Sequence, residues 1–302
     1  MATRKRKQRQ PKILAVVNRK GGVAKTTTAI NLAHGLSRRL LLRVAPEDVA
    51  EVEEKDRLVE FQGTTMFVRG HVLLVDLDPQ GHCARGLGIE VGTADIGEVL
   101  LGRQTLSDAV VSADRTEAGY PRPNLWVLPS SDNLELAKLV LLQKSLEEGG
   151  RHNVAAALLR RLAYAVERFA YIILDCPPNL DIFTQAIYQF AEAAIVPVRP
   201  DYFSMVGITQ HVANIREAQL KGINIAIHTI VPTMMVPRQN LDQEMLEALQ
   251  DVYGEAVAEP IPRSQMVAEA PAYHVTIFEY DPKGENPATV AYQKLVDRVY
   301  HG

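Results

Sequence analysis

"AVVNRKGGVAKTTTAINLA", residues 15–33, is the stretch from which the rest of the chain can be read. A short apolar run rich in branched residues, "ILAVV" (13–17), leads into a glycine-containing loop, after which Ala29, Ile30, Ala33 and Leu36 recur at helical spacing. The order is strand, loop, helix. Such a loop aims backbone N–H groups and the positive end of a helix at one point, which favours a phosphate. The usual pattern G-x-x-x-x-G-K-[ST] would place glycine at 19 and 24, where this chain has Arg19 and Ala24. Lys25 and Thr26 are kept, and a second lysine, Lys20, is added. Gly21 and Gly22 let the backbone close around an anion. In this pattern Lys25 reaches the β and γ phosphates of a nucleotide and Thr26 offers its hydroxyl to Mg²⁺. Ala24 is acceptable in place of glycine if its φ is negative, because a methyl group is then allowed.

The same alternation continues outward. "HVLLVDLD" (71–78), "NLWVLPSS" (124–131), "YIILDCPP" (171–178), "AAIVPVRP" (193–200) and "IAIHTIVPT" (225–233) read as strands. Between them 132–146, 152–169, 181–191, 206–221 and 239–253 read as helices, with 286–300 closing the chain. Strands that are apolar throughout, alternating with helices, predict an α/β fold with a doubly wound, mostly parallel sheet covered on both faces. There is no internal repeat and no second domain boundary, so residues 12–302 are expected to form a single domain behind a disordered basic tail, 1–11. Six of the first dozen residues are Lys or Arg, which suits a solubilising end or contact with DNA phosphates.

One segment does not fit the alternation. Residues 40–70 lie between the first helix and the second strand, where a crossover usually needs only a few residues, and they look inserted. Residues 47–60 hold seven acidic and two basic side chains. Val49, Val52, Leu58 and Val59 would make a weak helical stripe behind Pro46. The segment reads either as a solvated excursion or as a partner-binding or dimer-contact element.

Composition limits what the chain can be. With 302 residues, 47% of them hydrophobic, it can bury a large core. A formal charge of −3 excludes a uniformly basic nucleic-acid coat but leaves room for a local basic patch. No run approaches the roughly 18 to 20 apolar residues of a membrane span, and no apolar segment follows the basic start as in a signal peptide, so a cytoplasmic protein is expected. Cys83 and Cys176 have no nearby cysteine in the sequence, which indicates two reduced thiols and no cysteine-based zinc or iron-sulfur site.

Lys20 is the departure that carries a resemblance. "KGGVAKTT" (20–27) resembles the deviant Walker A motif of the ParA/MinD superfamily of P-loop ATPases. The resemblance implies that Lys20 reaches the phosphates held by a second subunit, so that two ATP molecules lie between two chains of a homodimer. Its charge there would act in trans as an arginine finger does. "VLLVDLDPQG" (72–81) resembles the family's second phosphate-site motif, with Asp78 positioning the attacking water and Asp76 supporting the Mg²⁺ shell. "YIILDCPP" resembles the Walker B strand, with Asp175 on the magnesium side. The implied nucleotide contacts are Gly21, Gly22, Val23, Ala24, Lys25, Thr26 and Thr27, together with Pro262 and Arg263 from "IPRSQMVAEAP" (261–271), which is similar to the family's base loop. Ser264 stands there where Asn is common. "VPVRPDYFSMVGI" (196–208) is similar to another family loop, with Val206 where an acid is often found. The likeness spans about 12–300, broken by the inserted segment.

ParA-like members bind nonspecific DNA as ATP dimers and release it on hydrolysis, which a partner protein stimulates. Here Arg216 and Arg238 fall where the family's DNA-contacting residues lie, and Arg199 and Lys221 would extend the patch. The expected activity is therefore slow ATP hydrolysis, with ATP and Mg²⁺ as cofactors and a ParB-like activator as partner. The expected role is positioning a plasmid, chromosome or protein cargo, with the ATP state associated with the nucleoid. The rival readings are a membrane-cycling MinD-like ATPase and an ATP-switched protein-binding module without DNA affinity. The first needs an amphipathic C-terminal helix that "AYQKLVDRVYHG" does not supply, so no stable membrane association is expected. An iron protein lacks its cysteines, a ligase lacks an identifiable substrate pocket, and a nicotinamide fold lacks G-x-G-x-x-G. The roughly 12 residues ahead of the first strand are too few for a helix-turn-helix, so operator reading is not expected.

Overall fold

The computed structural model describes residues 12–147, 154–178, 182–201 and 212–302. The basic tail and residues 202–211, Val206 included, lie outside them. In chain order the strands are β1 (Lys12–Val16), β2 (Leu41–Arg43), β3 (Leu58–Phe61), β4 (Thr64–Val68), β5 (Val72–Asp76), β6 (Val111–Ser112), β7 (Leu125–Leu128), β8 (Tyr171–Asp175), β9 (Ala193–Val198) and β10 (Ala226–Pro232). The helices are α1 (Lys25–Arg39), α2 (His82–Leu87), α3 (Ile96–Leu101), α4 (Leu106–Ala109), α5 (Asn133–Glu147), α6 (Val154–Arg168), α7 (Ile182–Phe190), α8 (212–220), α9 (Asn240–Tyr253), α10 (Gln265–Glu269), α11 (Ile277–Tyr280) and α12 (Pro287–His301). Seven strands form one sheet in the order β10-β9-β1-β8-β5-β7-β6, parallel except for the terminal β6–β7 pair. This is the doubly wound arrangement that the unbroken apolar strands predict. Both faces of each central strand are buried, so alternation of polar and apolar residues would be unaffordable there.

Two cores flank the sheet. One holds Val75, Ile172 and Leu174 against Leu158, Leu162 and Ile215 from the helices of that side. The other holds Leu14, Val16, Leu74 and Ile173 against α1 and α12. Those two helices approach closely because residue 35 is glycine; a methyl group there would run into Val296 Cγ2 and the Phe278 ring. α11 is fastened to the strand ends by Arg122, whose side chain is fully buried. Its Nε and Nη2 donate to the two oxygens of Glu279 at 2.7 and 2.9 Å, and Nη1 and Nη2 donate to the carbonyls of Leu87 and His274, both at 2.9 Å.

The inserted segment differs from its reading as a helix. Val49–Glu51 and Lys55–Arg57 are single 3₁₀ turns, and Leu58 and Val59 belong to β3. With β2 and β4, β3 makes a separate antiparallel sheet in the order β2-β4-β3. The stripe of four apolar residues was too sparse to hold a helix to the core, whereas the branched and aromatic "LVEF" and "TTMFV" pair through a tight turn at Gln62 and Gly63, both with positive φ.

Removing one partner of a buried, hydrogen-bonded ion pair leaves an uncompensated charge. Arg122→Ala is therefore expected to destabilise the fold by about 3–5 kcal/mol, read as a lowered urea midpoint at unchanged m-value.

Candidate nucleotide and cation site

The site forms where β1, β8 and β5, adjacent in the sheet, end on the same edge. Parallel pairing sets Val16 beside Asp175 and Asp175 beside Asp76. The loop after β1 and the carboxylates that end β8 and β5 are thereby forced together at the carboxyl end of the sheet, where ligands of such folds bind.

Gly21 and Gly22 face open space; a side chain built on either would meet nothing within 4 Å. Gly22 has φ +70°. Ala24 also lies in the left-handed region, with φ 63° and ψ 35°, as the residue that caps α1 without a side-chain hydrogen bond. The expectation of a negative φ there is overturned: the loop must turn left-handed to point the first N–H groups of α1 inward, and the alanine bears the strain that glycine would avoid. Lys25 is buried, and its Nζ donates to the Lys20 carbonyl at 2.9 Å. Burial lowers its pKa, opposed by the charges of Asp175 and Asp78. The two lysines of the motif thus have different partners. Lys20 Nζ lies 2.5 Å from Asp201 Oδ1, with each side chain about a third exposed (33% and 29%), while its backbone N–H donates to Asn18 Oδ1.

Asp76 and Asp175 are both buried, at 0% and 1% exposure. Asp76 accepts from the backbone N–H of Asp78 through Oδ1 and of Cys83 through Oδ2, both at 3.0 Å. Asp175 Oδ2 accepts from Cys83 Sγ at 3.3 Å, whereas Oδ1 is buried without a hydrogen-bond partner. Burial raises the pKa of both carboxyls; the Asp76 charge raises that of Asp175 further while Thr26 and Cys83 draw it down, and the N–H groups of Cys83 and Asp78 draw that of Asp76 down. Two buried carboxylates with an unmet oxygen fit a bound cation. Mg²⁺ takes oxygen donors, so Thr26, Asp175 and Asp76 suit it and the Cys83 thiol does not. Asp78, half-buried at the rim, accepts from the Gln80 N–H at 3.0 Å.

A cavity of about 830 Å³ joins this loop to residues distant in sequence; Ala24, Thr27, Arg199, Asp201, Pro262 and Arg263 are on its wall. The base-loop residues are held by a 2.8 Å bond from the Arg263 N–H to the Met235 carbonyl, and Ser264 Oγ lies 3.3 Å from Asn286 Oδ1. Val23 is buried, and its carbonyl accepts from Thr233 Oγ1. Arg216 on α8 and Arg238 between β10 and α9 are exposed and line neither this cavity nor the neighbouring one of about 450 Å³ at Thr26, His82 and His274. The sequence reading passed over two participants. Cys83, treated as an isolated thiol, is the second residue of the helix that begins just past the Asp76–Asp78 turn. Asp201 follows the predicted strand 193–200 directly and sits on the cavity wall.

A family model described as an AAA domain matches residues 11–44 and 64–229. The chain is 30% identical over 294 residues to the chromosome partitioning protein ParA of Caulobacter vibrioides, covering 95% of this chain and 93% of that protein. The chain belongs to the ParA branch of the AAA-domain P-loop ATPases. It is 29% identical to the sporulation initiation inhibitor protein Soj of Bacillus subtilis, over 90% of this chain and 92% of Soj. Among solved structures, a cobyrinic acid a,c-diamide synthase from Mycobacterium smegmatis with bound ATP analog and magnesium is 26% identical with a TM-score of 0.69, covering 96% and 95% of the two chains. The cell division ATPase MinD of Pyrococcus furiosus, 20% identical over 96% and 98%, has the same fold with a TM-score of 0.69. The family match omits 45–63, which hold the acidic turns and β3.

Two outcomes follow from this geometry. Ala24→Gly is expected to stabilise the fold by up to about 1 kcal/mol, the relief of the left-handed strain less the added freedom of the unfolded chain, measured by urea denaturation. Because Asp76 and Asp175 titrate higher in the folded chain than in the unfolded one, the folded state holds more protons between pH 4 and neutrality, and stability without nucleotide is expected to fall as pH rises through that window. Asp175→Asn flattens that dependence in melts recorded at successive pH values.

Proposed function

We propose that this chain is an ATPase that dimerises on Mg-ATP, binds nonspecific DNA in that state and positions a plasmid, chromosome or protein cargo. The observation that carries the reading is that the paired lysines have separate partners: Lys25 Nζ binds the Lys20 carbonyl of its own loop, while Lys20 Nζ binds Asp201 on the cavity wall. A lysine in that place suits the phosphates of a nucleotide on a second subunit. The partition proteins among the relatives support the positioning role.

In this reading Gly21, Gly22, Val23, Ala24, Lys25, Thr26 and Thr27 hold the phosphates, and Pro262 and Arg263 border the base. Thr26, Asp76 and Asp175 would hold Mg²⁺, which would supply neutralisation of the phosphate charge. Asp78 orients the attacking water in line with the γ phosphate, and Lys25 with the partner's copy of Lys20 stabilises the charge that develops. Arg216 and Arg238, exposed and without ion pairs among the described residues, neutralise DNA phosphates. A ParB-like protein accelerates turnover. No helix among the described residues is long and apolar enough to cross a membrane, and the cytoplasmic, nucleoid-associated location follows from the DNA step.

Asp78→Ala protein, arrested before hydrolysis, is expected to bind a random-sequence duplex tightly and with steep salt dependence in Mg-ATP and weakly in Mg-ADP, by fluorescence anisotropy. Equal weak binding in both nucleotides by protein that binds ATP would sink the DNA reading. Lys20→Gln is expected to bind ATP yet stay monomeric in size-exclusion chromatography with light scattering; a dimer would remove the role given to Lys20.

A further inference from the structure

Cys83 has no part in the reaction just described, yet it sits at its base. One ligand atom each from Asp76, Cys83 and Asp175 lies within 4.8 Å of the others, and all three residues are buried. The thiol is held over the carboxylates from both directions: the Cys83 N–H binds Asp76 Oδ2 at 3.0 Å and Sγ approaches Asp175 Oδ2 at 3.3 Å. Asp175 Oδ1, buried without a hydrogen-bond partner, leaves the cluster short of a ligand. Mg²⁺ would satisfy the oxygens and leave the sulfur idle. Zn²⁺ and Co²⁺ accept mixed sulfur and oxygen donors in tetrahedral geometry, with the fourth position open to water or a phosphate oxygen.

We propose that Asp76, Cys83 and Asp175 form a thiolate-assisted site for a borderline-soft divalent cation of the Zn²⁺ class, which displaces Mg²⁺ and arrests the ATPase. Binding exchanges the thiol proton for the metal: the S–H bond breaks, a sulfur–metal bond forms, and the proton leaves to solvent, with no change in oxidation state. Arrest follows because a three-ligand tetrahedral cation holds both carboxylates and has too few open positions to bridge the phosphates and carry water as octahedral Mg²⁺ does. The site stands on the three side chains; its regulatory consequence rests on the ATPase reading.

The test is a Co²⁺ titration of the nucleotide-free full chain, read in absorbance. The expected result is a near-ultraviolet sulfur-to-cobalt charge-transfer band that saturates at one metal per chain and is bleached by Zn²⁺. The band is retained in Cys176→Ala, whose thiol lies instead near the Leu174 carbonyl at 3.6 Å, and lost in Cys83→Ala and Cys83→Ser. Loss of this ligand weakens Zn²⁺ binding about tenfold or more, by competition with a chromogenic chelator. Absence of the band, or its survival in both folded Cys83 variants, overturns the proposal. Binding of a fluorescent ATP analogue in Mg²⁺ is followed separately. If that binding fails while the cobalt band behaves as expected, the ATPase reading falls and the metal site stands; the reverse result removes the site alone.

Discussion

The structure turns on two carboxylates that end neighbouring parallel strands in register. Asp76 and Asp175 are adjacent because β5 and β8 pair residue for residue, and both are buried, with the turn and helix that follow β5 seated against them. Two like charges in that position are costly, and their surroundings are arranged around the cost. Backbone N–H groups from the following turn and helix bind one carboxylate, a thiol binds the other, and the Lys25 ammonium is nearby. What remains unmet is one oxygen, which gives the site its demand for a cation.

The two helices that begin at this point share a device. α1 and α2 each start after a residue with φ 63° and ψ 35°, Ala24 in one case and Gly81 in the other, and neither has a side-chain cap. A side-chain cap would consume the first free N–H groups of a helix; a left-handed backbone turn leaves them directed at the site. At α2 the Cys83 N–H already serves the Asp76 carboxylate. Gly81 has no freedom to change, since a side chain there would meet the Ser130 carbonyl at 2.6 Å, whereas nothing comparable crowds the loop after β1. Ala24 bears its left-handed strain where the backbone is placed to serve a ligand.

Residues 45–63 stand apart from this economy. They are absent from the family match and build β3 and two 3₁₀ turns rather than any part of the main sheet. Their strand β3 pairs with β4, whose end at Val68 is buried and whose antiparallel partner β2 continues directly from α1, and Phe61 and Gln62 share a cavity lining with His34, Arg38 and Phe278. The segment was recognisable as inserted because a crossover of that length has no place in a βαβ unit. Its internal form was not recognisable, because short half-exposed strands and a weak helical stripe contain similar numbers of apolar residues, and the pairing partner decides between them.

The sequence alone determined the sheet, its parallel sense and the location of the phosphate loop. Those features follow from local rules: buried strands must be apolar throughout, helices carry a 3.6-residue period, and phosphate loops need small residues ahead of a lysine and a hydroxyl. It also put Asp76 and Asp175 at strand ends and Lys25, Thr26 and Asp78 in the segments that follow β1 and β5, which sufficed to bring them to one edge. Tertiary structure alone decided three things. Register set the two carboxylates side by side and fully buried, the turn after Asp76 carried Cys83 onto Asp175, and Pro262 and Arg263 arrived beside Ala24 from more than two hundred residues away. These depend on which strand lies next to which and on how a helix seats against the sheet, and neither is encoded in any one segment of the chain.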